Sequence, residues 1–236
     1  MGTKLDAVDK QRILVLVAAY AKQWENYSAE VVDPEVEFEI SLPDTDWTLV
    51  GKIDLLCRDE QGLVMVEHKT RSAADITSQW DPYYQKLSFD AQLSAYHLAQ
   101  FSLGEPIKKT IYDVIKKITT KPKAIPKGSE GATGTRSEIE LHGTYYGQEV
   151  LQGAADGLSK EDDDLYGMRI AAEVAADPDK YFHQYSLIHR NQRQMKDTAR
   201  QLIQLTRDID RAKQDRAWYQ NTSNCFSYGS TCEYFD

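Results

Sequence analysis

A chain of 236 residues with 41% hydrophobic and 28% charged side chains has the size and composition of one globular domain, and its longest apolar run, Ile13 to Ala21, is too short to cross a bilayer. The net charge of -9 excludes a surface that binds polyanions everywhere, so any nucleic-acid contact must be local. Three cysteines cannot all pair within the chain, and Met1-Gly2-Thr3-Lys4 opens no charged-then-apolar leader, which favours a cytoplasmic setting with no membrane partner.

Helical spacing of Val8, Ile13, Val17, Ala21 and Trp24 predicts a helix from Leu5 to about Tyr27, well buried because Ile13 to Val17 is apolar nearly all round. Val36, Phe38 and Ile40 alternate with Glu37 and Glu39 as in a half-buried strand, and Pro43-Asp44 marks a turn. A second strand is predicted from Trp47 to Cys57. Asp59-Glu60-Gln61-Gly62 then forms a hairpin connection, centred near Gln61-Gly62, into the strand Leu63 to Lys69. One helix is expected from about Trp80 to Phe101, stopped by Gly104-Glu105-Pro106, and the next strand runs from Thr110 to Ile115. Lys121 to Glu138 reads as a surface insertion, Tyr181 to Leu187 as a strand, and Asn191 to about Ala212 as a long helix. The expected organisation is one domain over 1–236, with a core at about 5–117, an insertion at about 118–160 and a C-terminal helical region at about 161–236.

Residues two apart on a strand share a face, so Glu67-His68-Lys69 sets a carboxylate beside an ammonium while His68 points the other way. Asp54, on the preceding strand, can bring a second carboxylate to the same place. Two carboxylates with water and substrate phosphate suit a hard, oxygen-preferring cation such as Mg2+, and a neighbouring lysine can orient the attacking water or offset developing negative charge. One stretch reverses the acidic balance: Lys108, Lys109, Lys116, Lys117, Lys121, Lys123 and Lys127 are accompanied by a single acid, Asp113.

Gly51-Lys52-Ile53-Asp54, then Glu67-His68-Lys69-Thr70, then Gln92 and Tyr96 one helical turn apart closely resemble, in order and spacing, the motif set of RecB-like PD-(D/E)XK nucleases. The resemblance spans about 36–117. It implies a restriction-endonuclease-like α/β fold, a central mixed sheet flanked by helices. It also implies Asp54 and Glu67 as ligands of Mg2+ or Mn2+, the His68 backbone carbonyl as a further ligand, Lys69 as the catalytic lysine, and Gln92 and Tyr96 as substrate-facing groups. Thr70, Arg71, Lys116 and Lys117 are candidate DNA-backbone contacts. Such nucleases usually carry an early-helix histidine or glutamate that completes the metal shell. No histidine precedes His68, which leaves Glu25, Glu37 and Glu39 as substitutes.

The segment around Cys225 and Cys232 resembles the C-terminal cysteine region of phage-type and AddB-like members, where four thiolates hold an iron-sulfur cluster. Two cysteines are too few, so a cluster would require a longer natural chain. The implied function is a divalent-metal-dependent deoxyribonuclease acting on DNA, an exonuclease of phage or bacterial recombination or repair with a recombination or helicase partner. An endonuclease, or an inactive DNA-end-binding module, is the alternative.

Overall fold

The computed structural model describes residues 5–71, 82–123, 139–141, 144–146 and 161–218. Cys225, Cys232, Lys127 and most of the insertion lie outside them. The elements are α1 (Ala7–Trp24), β1 (Glu30–Ser41), β2 (Thr48–Asp59), β3 (Gly62–Arg71), α2 (Pro82–Gln85), α3 (Ala91–Ser102), β4 (Lys109–Lys116), β5 (Ile139–Leu141), β6 (Thr144–Tyr146), α4 (Asp163–Ala176), β7 (Phe182–Ile188) and α5 (Gln192–Asp215). The main sheet has the order β1-β2-β3-β4-β7, with β3 and β4 parallel and the pairs β2/β3 and β4/β7 antiparallel. This is the expected mixed sheet flanked by helices.

Several boundaries differ from those read in the sequence, each for a local reason. The strand expected at Val36–Ile40 extends back to Glu30, and its place at the sheet edge tolerates Pro34, which has no N–H to donate. The helix expected from Trp80 to Phe101 is interrupted: α2 ends at Gln85, a 3-10 turn covers Lys86–Phe89, and Asp90 starts α3 by accepting from Leu93 N at 2.8 Å. A carboxylate that caps one helix in extended backbone cannot lie inside another. Helix α4, which no apolar periodicity had announced, is capped in the same way by Asp162. Asn191 and Gln194 form a reciprocal capping box that starts α5 where expected.

Contacts divide the chain into two compact units. The first comprises Met1–Val36, Ile53–Phe89 and Ile107–His189; the second comprises Glu37–Lys52, Asp90–Pro106 and Arg190–Asp236.

In the first unit, one sheet face carries Cys57, Val64, Val66 and Ile111 against Trp24 and Tyr27, while Ile118, Tyr166, Ile170, Val174 and Phe182 pack with Val8, Val15, Leu16, Ala19 and Tyr20. Burying each aliphatic side chain contributes about 1.5–3 kcal/mol. Only one stripe of α1 is used, so the expectation of a well-buried helix is corrected: none of its residues is fully buried, and Ile13, Leu14 and Val17 are exposed. Arg169 of α4 is buried and bonds Glu161 at 2.6 and 2.9 Å, Glu173 at 2.7 Å and Lys121 O at 3.1 Å. Burial by itself would lower the Arg169 pKa; the bonds to Glu161 and Glu173 outweigh it and raise it. Glu161 also accepts from Lys123 N, so the two ends of the insertion meet at one buried ion cluster.

In the second unit, α3 packs with α5, and Arg190 reaches Ser94 Oγ at 2.9 Å. Trp47 donates to Asp210 at 3.0 Å and lies under Lys213, 4.4 Å from its ring centre. The α5 arginines Arg193 and Arg200 pair with Asp197, and Arg211 with Asp215, as a solvated face.

Candidate active site

The hairpin decides which side chains meet. Asp59 pairs with Gly62, so the two-residue turn is Glu60-Gln61, one position earlier than the sequence suggested. The Asp59 carboxylate accepts from Gln61 N at 2.8 Å and Gly62 N at 3.2 Å, and Gly62 has φ 125°, a conformation closed to residues with a Cβ. With Leu55 opposite Val66, the next residues along, Asp54 and Glu67, fall opposite each other on one face. A turn at Gln61-Gly62 would have set Asp54 against Lys69 instead.

Glu67 is buried, and Lys69 Nζ donates to its Oε1. The Asp54 carboxylate is fixed by a 2.8 Å bond from His68 N. Alternation then places Arg71 on the same face, and the parallel register adds Tyr112 beside Glu67, Val114 beside Lys69 and Lys116 beside Arg71.

His68 faces the opposite side. Its Nδ1 lies 3.1 Å from Asp113 Oδ2 and 3.2 Å from the Tyr20 hydroxyl, which also bonds Asp113. Residue 68 is thus held by backbone and side chain at once, from both sheet faces. Burial, then the bond from Tyr20 to Asp113 and that carboxylate's charge, push the Tyr20 phenol far above its ordinary pKa. Sequence reasoning missed Tyr20 and Asp113, although a lone carboxylate in the apolar run Ile111–Ile115 was a readable signal.

The basic candidates separate. Arg71 and Lys116 are on the Glu67 face, whereas Thr70 and Lys117 line a cavity of about 650 Å³ under α1, with Leu16, Tyr20 and Ile115. Lys117 N donates to Arg71 O at 2.6 Å.

Gln92 and Tyr96 belong to the second unit, where Gln92 Nε2 donates to the Tyr96 hydroxyl at 2.7 Å. The Tyr96 ring meets the edge of Phe38 at 5.8 Å and 83°. Phe38 in turn lies against Gly51, where a Cβ would come within 2.7 Å of Phe38 Cε1. Gly51 is therefore required by the ring that braces Tyr96.

Among the substitutes for an early metal ligand, Glu37 is highly exposed and pairs with Lys52 in its own unit. Among the described residues no group of three or more His, Cys, Asp or Glu side chains converges as a metal site. Cys57 is buried among aliphatic side chains, and burial raises its thiol pKa. Again among the described residues, no helix is long and apolar enough to cross a membrane.

The family model of the PD-(D/E)XK nuclease superfamily matches residues 4–235. The chain belongs to the PD-(D/E)XK nuclease superfamily. The superfamily is one of nucleases, whose members generally use divalent metals such as Mg2+. No curated protein gives a significant match. The solved structure described as "Crystal structure of SSO0001" is 21% identical over 44% of this chain, with a TM-score of 0.28, and the chain spans about half of that protein, 45% of its length. A likeness of that size carries no argument about fold or function.

The donor set of this PD-(D/E)XK chain fits a hard divalent cation. Two carboxylates share a face, one buried and one oriented by a backbone N–H, which matches the one or two carboxylates plus waters and phosphate that Mg2+ takes.

Proposed function

We propose that the chain is a Mg2+- or Mn2+-dependent deoxyribonuclease of the RecB-like branch, working as an exonuclease in phage or bacterial recombination or repair. The observation that carries this reading is a buried Glu67 bonded to Lys69 on the sheet face that also holds Asp54.

Asp54 and Glu67 would hold the cation, with the His68 backbone carbonyl as a further ligand. A bound divalent ion would supply a charge that polarises the phosphate and lowers the pKa of attacking water. Lys69, kept in place by Glu67, donates hydrogen bonds to that water or to the phosphate oxygen as charge develops. The Tyr20–Asp113–His68 cluster holds the strand between the two catalytic side chains still. Gln92 and Tyr96 are neutral groups that contact substrate, Lys116 takes a backbone phosphate, and Arg71 contacts the DNA strand beside it. Cys225 and Cys232 would join an iron-sulfur cluster only in a longer natural chain, and a recombination or helicase protein is the partner proposed.

The test is cleavage of linear and circular DNA with Mg2+, Mn2+ or EDTA by the full chain and by Asp54→Ala, Glu67→Ala and Lys69→Ala. Linear DNA should be degraded with metal and left intact in EDTA, and each variant should nearly abolish it. Cleavage of closed circles would replace the exonuclease by an endonuclease, and undiminished cleavage by Glu67→Ala would end the mechanism.

A further inference from the structure

Arg71 continues the line of Glu67 and Lys69 along β3, two residues further on, so it is displaced by about 6.6 Å on the same face. Its guanidinium carbon lies 3.9 Å from the centre of the Tyr83 ring, at stacking distance. Tyr83 is held by its hydroxyl, 3.2 Å from that of Tyr112, with the rings 6.0 Å apart at 60°. Tyr112 is the register partner of Glu67 in β4. The adjacent Tyr84 is buried and stacks on Tyr185 of β7 at 4.7 Å and 16°, which anchors α2 to the sheet. A planar cation is thus laid on an aromatic ring whose support reaches back to the strand pair carrying Glu67. Both Arg71 and Tyr83 remain half-buried, so the stack is partly open to solvent.

We propose that the Arg71–Tyr83 stack is a nucleobase platform that takes the unpaired base one nucleotide from the scissile phosphate, making a single-stranded DNA end the preferred substrate. The position of the scissile phosphate rests on the nuclease reading above. The ring occupies one face of the guanidinium, and the planar group can offer its other face to a base. A paired base is already stacked between its neighbours and cannot use that face, whereas an unpaired end can. A phosphate contact would need only the charge of Arg71, whereas a base needs the flat face that the ring beneath it holds in place. Stacking of a base on such a platform is worth about 5- to 150-fold in affinity.

The experiment uses the full chain carrying Glu67→Gln, in EDTA, and an oligonucleotide with 2-aminopurine at its penultimate position, single-stranded or annealed. Binding of the single strand should quench the probe. Adding Tyr83→Leu, or separately Arg71→Lys, should remove the quench and lower single-strand affinity about 5- to 150-fold, with duplex affinity changed by less than about twofold. Arg71→Lys is the decisive variant, because it keeps the charge and loses the plane, and urea midpoints confirm that each variant is folded. If Arg71→Lys quenches and binds like its parent, or if single strand and duplex weaken equally, Arg71 is a phosphate contact and the platform is refuted. A parallel assay with otherwise unsubstituted protein and Mg2+ separates the two readings. Quenching without cleavage would overturn the nuclease reading and the scissile position that rests on it, leaving the base platform; cleavage without quenching would overturn the platform alone.

Discussion

Removing either half of the Glu67–Lys69 pair deletes the same ion pair, yet the two removals should cost very different amounts. The Glu67 side chain is 1% exposed and that of Lys69 is 34% exposed. Lys69→Met takes the cation away from a carboxylate that water cannot reach, which costs about 3–5 kcal/mol. For a chain of this size each kcal/mol is about 2–4 °C, so the melting temperature should fall by roughly 6–20 °C. Glu67→Gln instead removes the buried charge and leaves an ammonium that can turn to solvent. The attraction lost is offset by the desolvation relieved, and the change should stay within about 1 kcal/mol. Urea unfolding in EDTA, followed by circular dichroism, measures both. Mg2+ supplies the second arm: if Asp54 and Glu67 bind it, Mg2+ at a hundred times its Kd should return about 2.7 kcal/mol to Lys69→Met and little to Glu67→Gln. Equal costs for the two variants, or a Lys69→Met protein indifferent to Mg2+, would refute the reasoning.

Lys116→Ala should weaken DNA binding and reduce the slope of log affinity against log salt by about 0.7–0.9, while Lys117→Ala, at the cavity under α1, should leave it nearly unchanged; a titration from low to high salt checks the order. Gln92→Ala with Tyr96→Phe should slow cleavage roughly tenfold to a thousandfold while Mn2+ affinity stays near that of the unsubstituted protein, so calorimetry showing lost metal binding would contradict their assignment to substrate. The folded Tyr20 phenol ionises above its ordinary pKa of 10.0, so its contribution to stability is complete below that pH and is lost as pH rises further. Tyr20→Phe should make the alkaline fall in stability shallower by up to about one proton's worth, and an unchanged slope in urea midpoints from pH 9 to 11 would remove Tyr20 from the explanation.

What the sequence determined by itself was local. Period-two alternation put Glu67 and Lys69 on one face and sent His68 to the other, and helical spacing set Gln92 and Tyr96 one turn apart; these are consequences of backbone geometry that no distant residue alters. Turn chemistry announced the hairpin, and the order of the motifs carried the superfamily. The tertiary structure decided what depends on register and on packing between distant segments. A turn one residue earlier than expected placed Asp54 opposite Glu67, because each shift of the turn by one position moves the pairing by two. Asp113 looked like a lone acid among lysines until β4 paired with β3 and α1 brought Tyr20 down to it, 93 residues away in sequence. Arg71 met Tyr83, and Arg169 met Glu161, only once the chain had folded, and the lysines of positions 116 and 117 were separated because adjacent residues at a strand end face opposite sides. Alternation along one strand is written in neighbouring residues, but the partner across the sheet is chosen by the burial that the whole assembly can achieve, and no single segment encodes it.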